Sequence, residues 1–372
     1  MKKVSSESVP FRTVAVIGVG LVGGSLALSI KRRFPRSVII GYDSRLALRR
    51  AIHRRAIDSA APSAKHAVAA ADLVILAMPV SGVVASLRHV AKWKKPGAVV
   101  TDVGSVKQAV MSRAERFFPN GSFVGGHPMA GVEHAGIEAA SELLFESAVY
   151  VLTPSSSTPP ATLKRLGRFI TSLGARVLVL DAATHDSVAS AVSHLPQLAA
   201  VALVQVAGKR HLEARRHLQL AAGGFRDLTR IASSRFDLWG DVLAFNSKKI
   251  CEALDLYIDE LRLYRRTIVG NSRRLRRSFQ SARRIRERIP KNMKGFLHPL
   301  NDIYVFVQDK PGMLARVTGI LGMGKVNIRD LELLKVREGE GGTFRISFDS
   351  RDAAARAARM LRRRGFEVSL RT

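Results

Sequence analysis

A chain of 372 residues that is 47% hydrophobic carries too much apolar material for one core, since single cores stop growing at roughly 250 to 300 residues. The polar start Met-Lys-Lys-Val-Ser-Ser-Glu-Ser lacks a signal-peptide core, and no window of about 18 uncharged apolar residues stands out, so a soluble, cytoplasmic protein is expected. The formal charge of +30 has the sign that nucleic-acid binding needs, and the lone Cys251 excludes an internal disulfide and is expected as buried filler.

From Arg12 to about Leu180, short apolar runs alternate with helical spacing. The runs are Thr13 to Ile17, Val38 to Tyr42, Leu73 to Ala77, Ala98 to Thr101, Ser122 to Gly125, Ala148 to Leu152 and Arg176 to Leu180. Strands without internal alternation are buried on both faces, which predicts a mainly parallel, helix-covered, doubly wound sheet over residues 1–182. Strand signals then vanish, and 183–290 reads as an all-helical domain. Its last stretch, Arg262 to Arg288, is dense in arginine. Leu275, Phe279, Ile285 and Ile289 are spaced there as one helix face, without zinc-finger spacing or an aromatic RNA-binding pattern, so nucleic acid is not the expected partner. Residues 291–300, with Gly295 and Pro299, read as a linker. Residues 301–372 read as strand Ile303 to Val307, helix Met313 to Leu321, strands Ile328 to Val336 and Thr343 to Asp349, helix Ala353 to Arg364, and strand Phe366 to Leu370. That order is βαββαβ, a small α+β domain.

Val14-Ala15-Val16-Ile17-Gly18-Val19-Gly20-Leu21-Val22-Gly23 carries the clearest chemistry. Gly18 makes a tight turn, Gly20 lets backbone approach a pyrophosphate, and Gly23 lets helix pack on strand; Leu21 and Val22 belong to the same cofactor-binding turn, and the helix Gly24 to Phe34 that follows offers its N-terminal N–H groups to the phosphates. The next strand ends in Asp43, 20 residues beyond Gly23, where a carboxylate accepts from ribose hydroxyls and repels a 2′-phosphate. NAD is the expected cofactor, although Arg45, Arg49 and Arg50 lie nearby.

Two loops fall at the carboxyl ends of later strands, where such sheets place their chemistry: Asp102-Val103-Gly104-Ser105-Val106-Lys107 and Gly125-Gly126-His127-Pro128-Met129-Ala130-Gly131. His127 is the side chain most easily poised as a base near neutral pH, and a serine within reach could hold its ring. Downstream stand Ser193-His194-Leu195-Pro196 and Gly224-Phe225-Arg226-Asp227-Leu228-Thr229-Arg230. Pro196 removes a helical N–H, so a kink is expected beside His194. Arg226, Asp227 and Arg230 share one helix face, where a spare positive charge suits a carboxylate. His185, nine positions before His194, falls on the opposite face of a straight helix and reads as a helix-start residue.

Taken in order, these motifs resemble the prephenate/arogenate dehydrogenase family from the glycine turn to about Asn246, and the last 70 or so residues resemble an ACT domain. The resemblance implies a Rossmann-type NAD domain, a helical substrate and dimerisation domain and an ACT-like regulatory domain, assembled as a homodimer. It implies NAD-dependent oxidative decarboxylation of prephenate to 4-hydroxyphenylpyruvate in tyrosine biosynthesis. His127 corresponds to the catalytic histidine, and Ser105 to the serine that orients it and approaches the nicotinamide. Arg230 corresponds to the arginine that binds the ring carboxylate, and His194 to a substrate-side histidine. Arg226 stands beside them as a further substrate-binding candidate, and no metal is implied. Gln197 and Val132 depart from the family's usual His and Thr or Ser near the substrate side chain, which leaves arogenate as an alternative substrate. Tyrosine is the feedback inhibitor such an ACT domain would sense, and Asp309-Lys310-Pro311-Gly312 offers helix N–H groups to its carboxylate. Two rivals remain: a 3-hydroxy-acid dehydrogenase using Lys248 or Lys249, and an NAD- or amino-acid-sensing regulator that binds nucleic acid.

Overall fold

The computed structural model describes residues 9–130, 136–208, 220–269, 272–288, 301–308, 310–337 and 341–370; Val132, the linker at 291–300 and Asp309 lie outside them. The chain forms two compact units, Met1–Ser272 and Arg273–Thr372.

In the first unit, strands β1 (Thr13–Ile17), β2 (Val38–Tyr42), β3 (Ser59–Ala60), β4 (Leu73–Leu76), β5 (Val99–Asp102), β6 (Phe123–Pro128), β7 (Val149–Thr153) and β8 (Arg176–Val179) make one sheet. Its order is β3-β2-β1-β4-β5-β6-β7-β8. Successive residues of a strand feed opposite cores, which is why no polar alternation is visible in the sequence. Val14 and Val16 of β1 pack with helices α1 (Leu21–Arg33), α2 (Arg45–His53) and α6 (Pro160–Ser172). Ala15 and Ile17 pack with α3 (Ala64–Ala70), α4 (Val80–Trp93) and α5 (Gln108–Phe117). The sheet is parallel except between β6 and β7, which pair antiparallel. Between these two strands only a short 3-10 turn, Ile137–Ala139, is seen among the described residues, and an antiparallel return needs no crossover helix. Strand β3, two residues long, is too short to leave a pattern in the sequence.

The helical part opens with α7 (Ala182–Gly208), capped by Asp181, whose carboxylate accepts from Thr184 N at 2.9 Å. Inside it, Ser190–His194 form a π turn directly before Pro196, where the sequence predicts a kink. Proline offers no N–H to the carbonyl of Val192, and the wider turn is one way a helix absorbs that loss. Contrary to expectation, α7 is apolar and long enough to cross a membrane by length and composition alone, with mean hydropathy 1.5 over an 18-residue window. Uncharged Ser, His and Gln interrupt its run of apolar side chains and hide this from a search for purely apolar windows. Then follow α8 (Gly223–Thr229), a 3-10 turn Arg230–Ser233, α9 (Phe236–Phe245) and α10 (Ser247–Thr267). The helix predicted to run through Arg230 ends at Thr229. Trp239 and Val242 of α9 pack into the core beneath α4. Cys251 is exposed rather than buried, because α10 turns Ile250 and Ala253 inward instead. Helix α11 (Ser272–Arg288), which carries the arginine run, begins at the boundary and belongs to the second unit from Arg273 on.

The second unit holds β9 (Asn301–Val307), α12 (Met313–Met323), β10 (Asp330–Arg337), β11 (Gly341–Phe348), α13 (Arg351–Arg363) and β12 (Glu367–Leu370), the βαββαβ order expected. Its antiparallel sheet runs β10-β11-β9-β12. Ile303, Val305, Phe344 and Ile346 meet Val317, Leu321, Ala357 and Leu361 of the two helices in a separate core.

Candidate active site

The glycine turn lies between β1 and α1, beside the β1–β4 boundary where the strand order reverses and such sheets bind their ligands. Gly18 has φ +97°, and a Cβ there would meet the Ala77 carbonyl oxygen at 2.4 Å. A Cβ at Gly23 would sit 1.9 Å from the Gly18 oxygen, whereas one at Gly20 would touch nothing within 4 Å. The turn is therefore closed on its protein side and open where a pyrophosphate approaches. Helix α1 begins at Leu21 and Val22 without a side-chain cap, so its first N–H groups are available to an anion. At the end of β2, Asp43 accepts from Val19 N at 2.7 Å and Ser44 N at 2.6 Å, which fixes the carboxylate against the turn. Among the nearby arginines, Arg50 pairs with Glu138. These residues fit a dinucleotide without a 2′-phosphate.

Two buried carboxylates organise the loops beyond. Asp102 ends β5; it accepts from Gly104 N at 2.8 Å and Gly126 N at 3.0 Å and pairs with the ammonium of Lys107, both side chains fully buried. It thereby ties the Ser105 loop to the strand that carries His127. Burial pulls the Lys107 ammonium below its ordinary pKa, and Asp102 opposes that pull. Asp186, on the first turns of α7, accepts from Lys107 N at 2.7 Å and Gln108 N at 2.9 Å, so it caps α5 from another element.

His127, on β6, is 8% exposed. Its Nδ1 lies 2.8 Å from Nε2 of His185, whose Nδ1 is 2.7 Å from Oδ1 of Asp186. Here the structure corrects two expectations. Ser105, half-buried in its loop, makes no hydrogen bond to His127; His185 holds the ring instead. His185 is not merely a helix-start residue, because α7 is not a straight α-helix between it and His194. A π turn has about 4.4 residues where an α turn has 3.6, so each of its residues advances by a smaller angle and the two histidines swing toward one side. The adjacent proline is the only signal for this in the sequence. Desolvation, then the nearby His185, Lys107 and His194, hold the His127 pKa well below its usual 6.5.

Asn246, which follows α9, links the second histidine to the same cluster. Its amide nitrogen donates to the Asp186 carbonyl at 2.9 Å and lies 3.2 Å from Nδ1 of His194. His194 Nδ1 is thus an acceptor, and the neutral ring carries its hydrogen on Nε2, which is buried without a partner. Burial brings the pKa of His194 down to about 4. Trp239 stands edge-on at 5.9 Å.

Gln197 is 5% exposed, and its amide donates to the Ile231 carbonyl at 3.0 Å, holding the turn that starts at Arg230 against α7. The structure thus joins His127, His185, Asp186, Asn246 and His194 in one hydrogen-bonded chain and ties Gln197 to the turn bearing Arg230. Arg226 and Arg230 themselves are exposed. Lys249 pairs with Glu252 at 2.7 Å and stands apart from the cluster.

Comparison with known proteins matches residues 26–179 to the nucleotide-binding domain of prephenate dehydrogenase and 181–281 to its dimerisation domain. The Bacillus subtilis prephenate dehydrogenase is 37% identical over 95% of this chain and 96% of its own, and the Lactococcus lactis enzyme 35% over 91% and 94%. A crystal structure of Aquifex aeolicus prephenate dehydrogenase with hydroxyphenyl propionate and NAD+ superposes with TM-score 0.70 at 30% identity, covering 77% of this chain and all of its own. That of Synechocystis arogenate dehydrogenase gives 0.65 at 30%, covering 74% and 99%.

Proposed function

The chain belongs to the prephenate dehydrogenase family, and we propose that His127 is the base in its NAD-dependent oxidative decarboxylation of prephenate to 4-hydroxyphenylpyruvate. NAD, when bound, supplies the hydride acceptor. His127 accepts the proton of the ring hydroxyl as hydride leaves the same carbon; the C–C bond to the ring carboxylate then breaks, its electron pair aromatises the ring, carbon dioxide leaves, and the proton returns to the phenolic oxygen. The observation that supports this role is a buried imidazole kept neutral, with one nitrogen already engaged and the other left for substrate. Lys107 and Asp102 hold the loop of Ser105, which stands beside the nicotinamide end of the cleft in this reading.

Arg230 binds the ring carboxylate and His194 Nε2–H donates to the side chain, with Arg226 as a further contact. Prephenate is favoured over arogenate because an ammonium group would need an acceptor beside His194. Among the described residues the nearby Asp186 already serves Lys107, Gln108 and His185. Steady-state rates with prephenate and arogenate, each against NAD and NADP, test both choices. A higher kcat/KM for arogenate overturns the first.

The division of labour follows residues 1–182 for cofactor, 183–290 for substrate and dimerisation, 291–300 as linker and 301–372 for regulation. Val188, Val192, Val201, Leu203, Val204 and Val206 of α7 are exposed within one chain on more than one side of the helix, and a dimer partner covers this stretch in the cytoplasm. Tyrosine is the ligand read by the second unit, its carboxylate at the N-terminus of α12.

A further inference from the structure

We infer that Asp186 and His185 are positioning residues that fix which ring nitrogen of His127 carries its hydrogen, an inference that rests on His127 being the base. Hydrogen counting along the chain carries it. Two backbone N–H groups at the start of α5 already donate to Asp186, so its carboxylate meets His185 as an acceptor, and the hydrogen of that contact sits on His185 Nδ1. A neutral His185 then has a lone pair on Nε2. Only one hydrogen fits in the 2.8 Å between the two rings, and it must come from His127 Nδ1. His127 is left with its lone pair on Nε2, the nitrogen that a base needs. In the opposite tautomer that nitrogen would carry a hydrogen and could not accept the substrate's proton.

The surroundings favour this single arrangement. Both rings and the carboxylate are buried, so water does not exchange for the partners. The charged or titratable groups facing the pair are Lys107 with Asp102 from the β5 loop and His194 from α7. A second proton on either ring would set two donors against each other at hydrogen-bond distance. The cap on α5 holds the carboxylate, and the Asn246 bond to the Asp186 backbone carbonyl holds the helix turn that bears it, so its direction is set before substrate arrives.

The test compares full-length Asp186→Asn, His185→Phe and His185→Gln with His127→Asn, using kcat, KM, NAD affinity and the 15N shifts of labelled histidine. An asparagine at 186 that turns its amide nitrogen toward His185 Nδ1 donates to it and reverses both hydrogen bonds, at the cost of opposing the Lys107 N–H that the carboxylate accepts. The expected result is a kcat lower by roughly 10² to 10⁴, the range for a misoriented imidazole, with KM and NAD affinity held within about threefold and the His127 hydrogen moved to Nε2. His185→Phe is expected to lose kcat similarly. His185→Gln, whose carbonyl oxygen can take the place of Nε2, is expected to recover to within about tenfold of wild type. The Phe and Gln pair leaves the cap on α5 intact should Asp186→Asn fold poorly. Wild-type kcat in His185→Phe with His127→Asn inactive overturns the positioning role alone. Wild-type kcat in His127→Asn removes the base itself, and this inference with it.

Discussion

The side-chain amide nitrogen of Gln197 donates to the backbone carbonyl of Ile231 at 3.0 Å, so Gln197 braces the turn bearing Arg230. Arg230→Ala is expected to raise KM by roughly 10- to 150-fold, the loss of a charge-assisted contact worth about 1.5 to 3 kcal/mol. Gln197→Leu is expected to move KM in the same direction by less, with kcat nearly unchanged. Initial-rate kinetics with prephenate check both, and an unchanged KM in Arg230→Ala reduces that residue to a surface charge.

His127→Asn keeps a hydrogen-bonding side chain of similar reach toward His185 but has no basic nitrogen. Turnover is expected to fall by roughly 10² to 10⁴ while NADH binding, followed by fluorescence, stays within about threefold. Turnover within a few-fold of wild type would assign the base elsewhere.

The glycine turn, Asp43 and the strands that feed both cores were legible because each rests on local backbone geometry or on a run of apolar residues. The βαββαβ unit was legible for the same reason. The hydrogen-bonded pair of His127 and His185 was not, since it joins β6 to α7 and depends on a π turn that no periodicity reports. A serine near a histidine in sequence order suggested the wrong partner for the ring. Cys251 was misplaced because an apolar residue in an amphipathic pattern does not reveal how wide the buried stripe is.

Asp43 accepts from backbone N–H groups of both the glycine turn and the start of α2, and a serine hydroxyl there can still accept from one of them. In Asp43→Ser, the ratio of kcat/KM for NADP to that for NAD is expected to rise at least about tenfold, since the repelling carboxylate goes and Arg45 remains. Titration with each cofactor measures it, and a constant ratio places discrimination at another residue.

With its folded-state pKa near 4 against 6.5, His194 takes up its proton later than the unfolded chain does as pH falls. It leaves stability untouched above pH 6.5, costs stability progressively from 6.5 down to about 4, and is level below that. The total is about 3 kcal/mol, and His127 adds in the same direction. Urea midpoints measured across this range are expected to fall, and His194→Gln is expected to flatten the decline. A parallel decline in the variant would trace it to other groups.

Gly312 precedes α12 with φ +86°, so a side chain there strains the loop that would receive tyrosine's carboxylate. Gly312→Val is expected to weaken inhibition by tyrosine at least about fivefold while kcat and KM for prephenate hold. Inhibition curves that coincide would make tyrosine a competitor at the active site alone.

The π turn at Ser190–His194 packs one residue more than an α-helix would over the same rise. In the language of sequence change it behaves as a single-residue insertion kept for the register it creates. Deleting Val192, which is 62% exposed and touches none of the cluster, would let the backbone heal into regular α-helix. The five residues of the wide turn together fall about 90° short of α-helical rotation, one residue's worth, so everything from His194 onward would keep nearly its direction relative to Asp186. A one-residue deletion at this turn would thus keep His194 and Gln197 directed at their partners, whereas winding the same residues into regular α-helix at constant length would swing both away by about 90°.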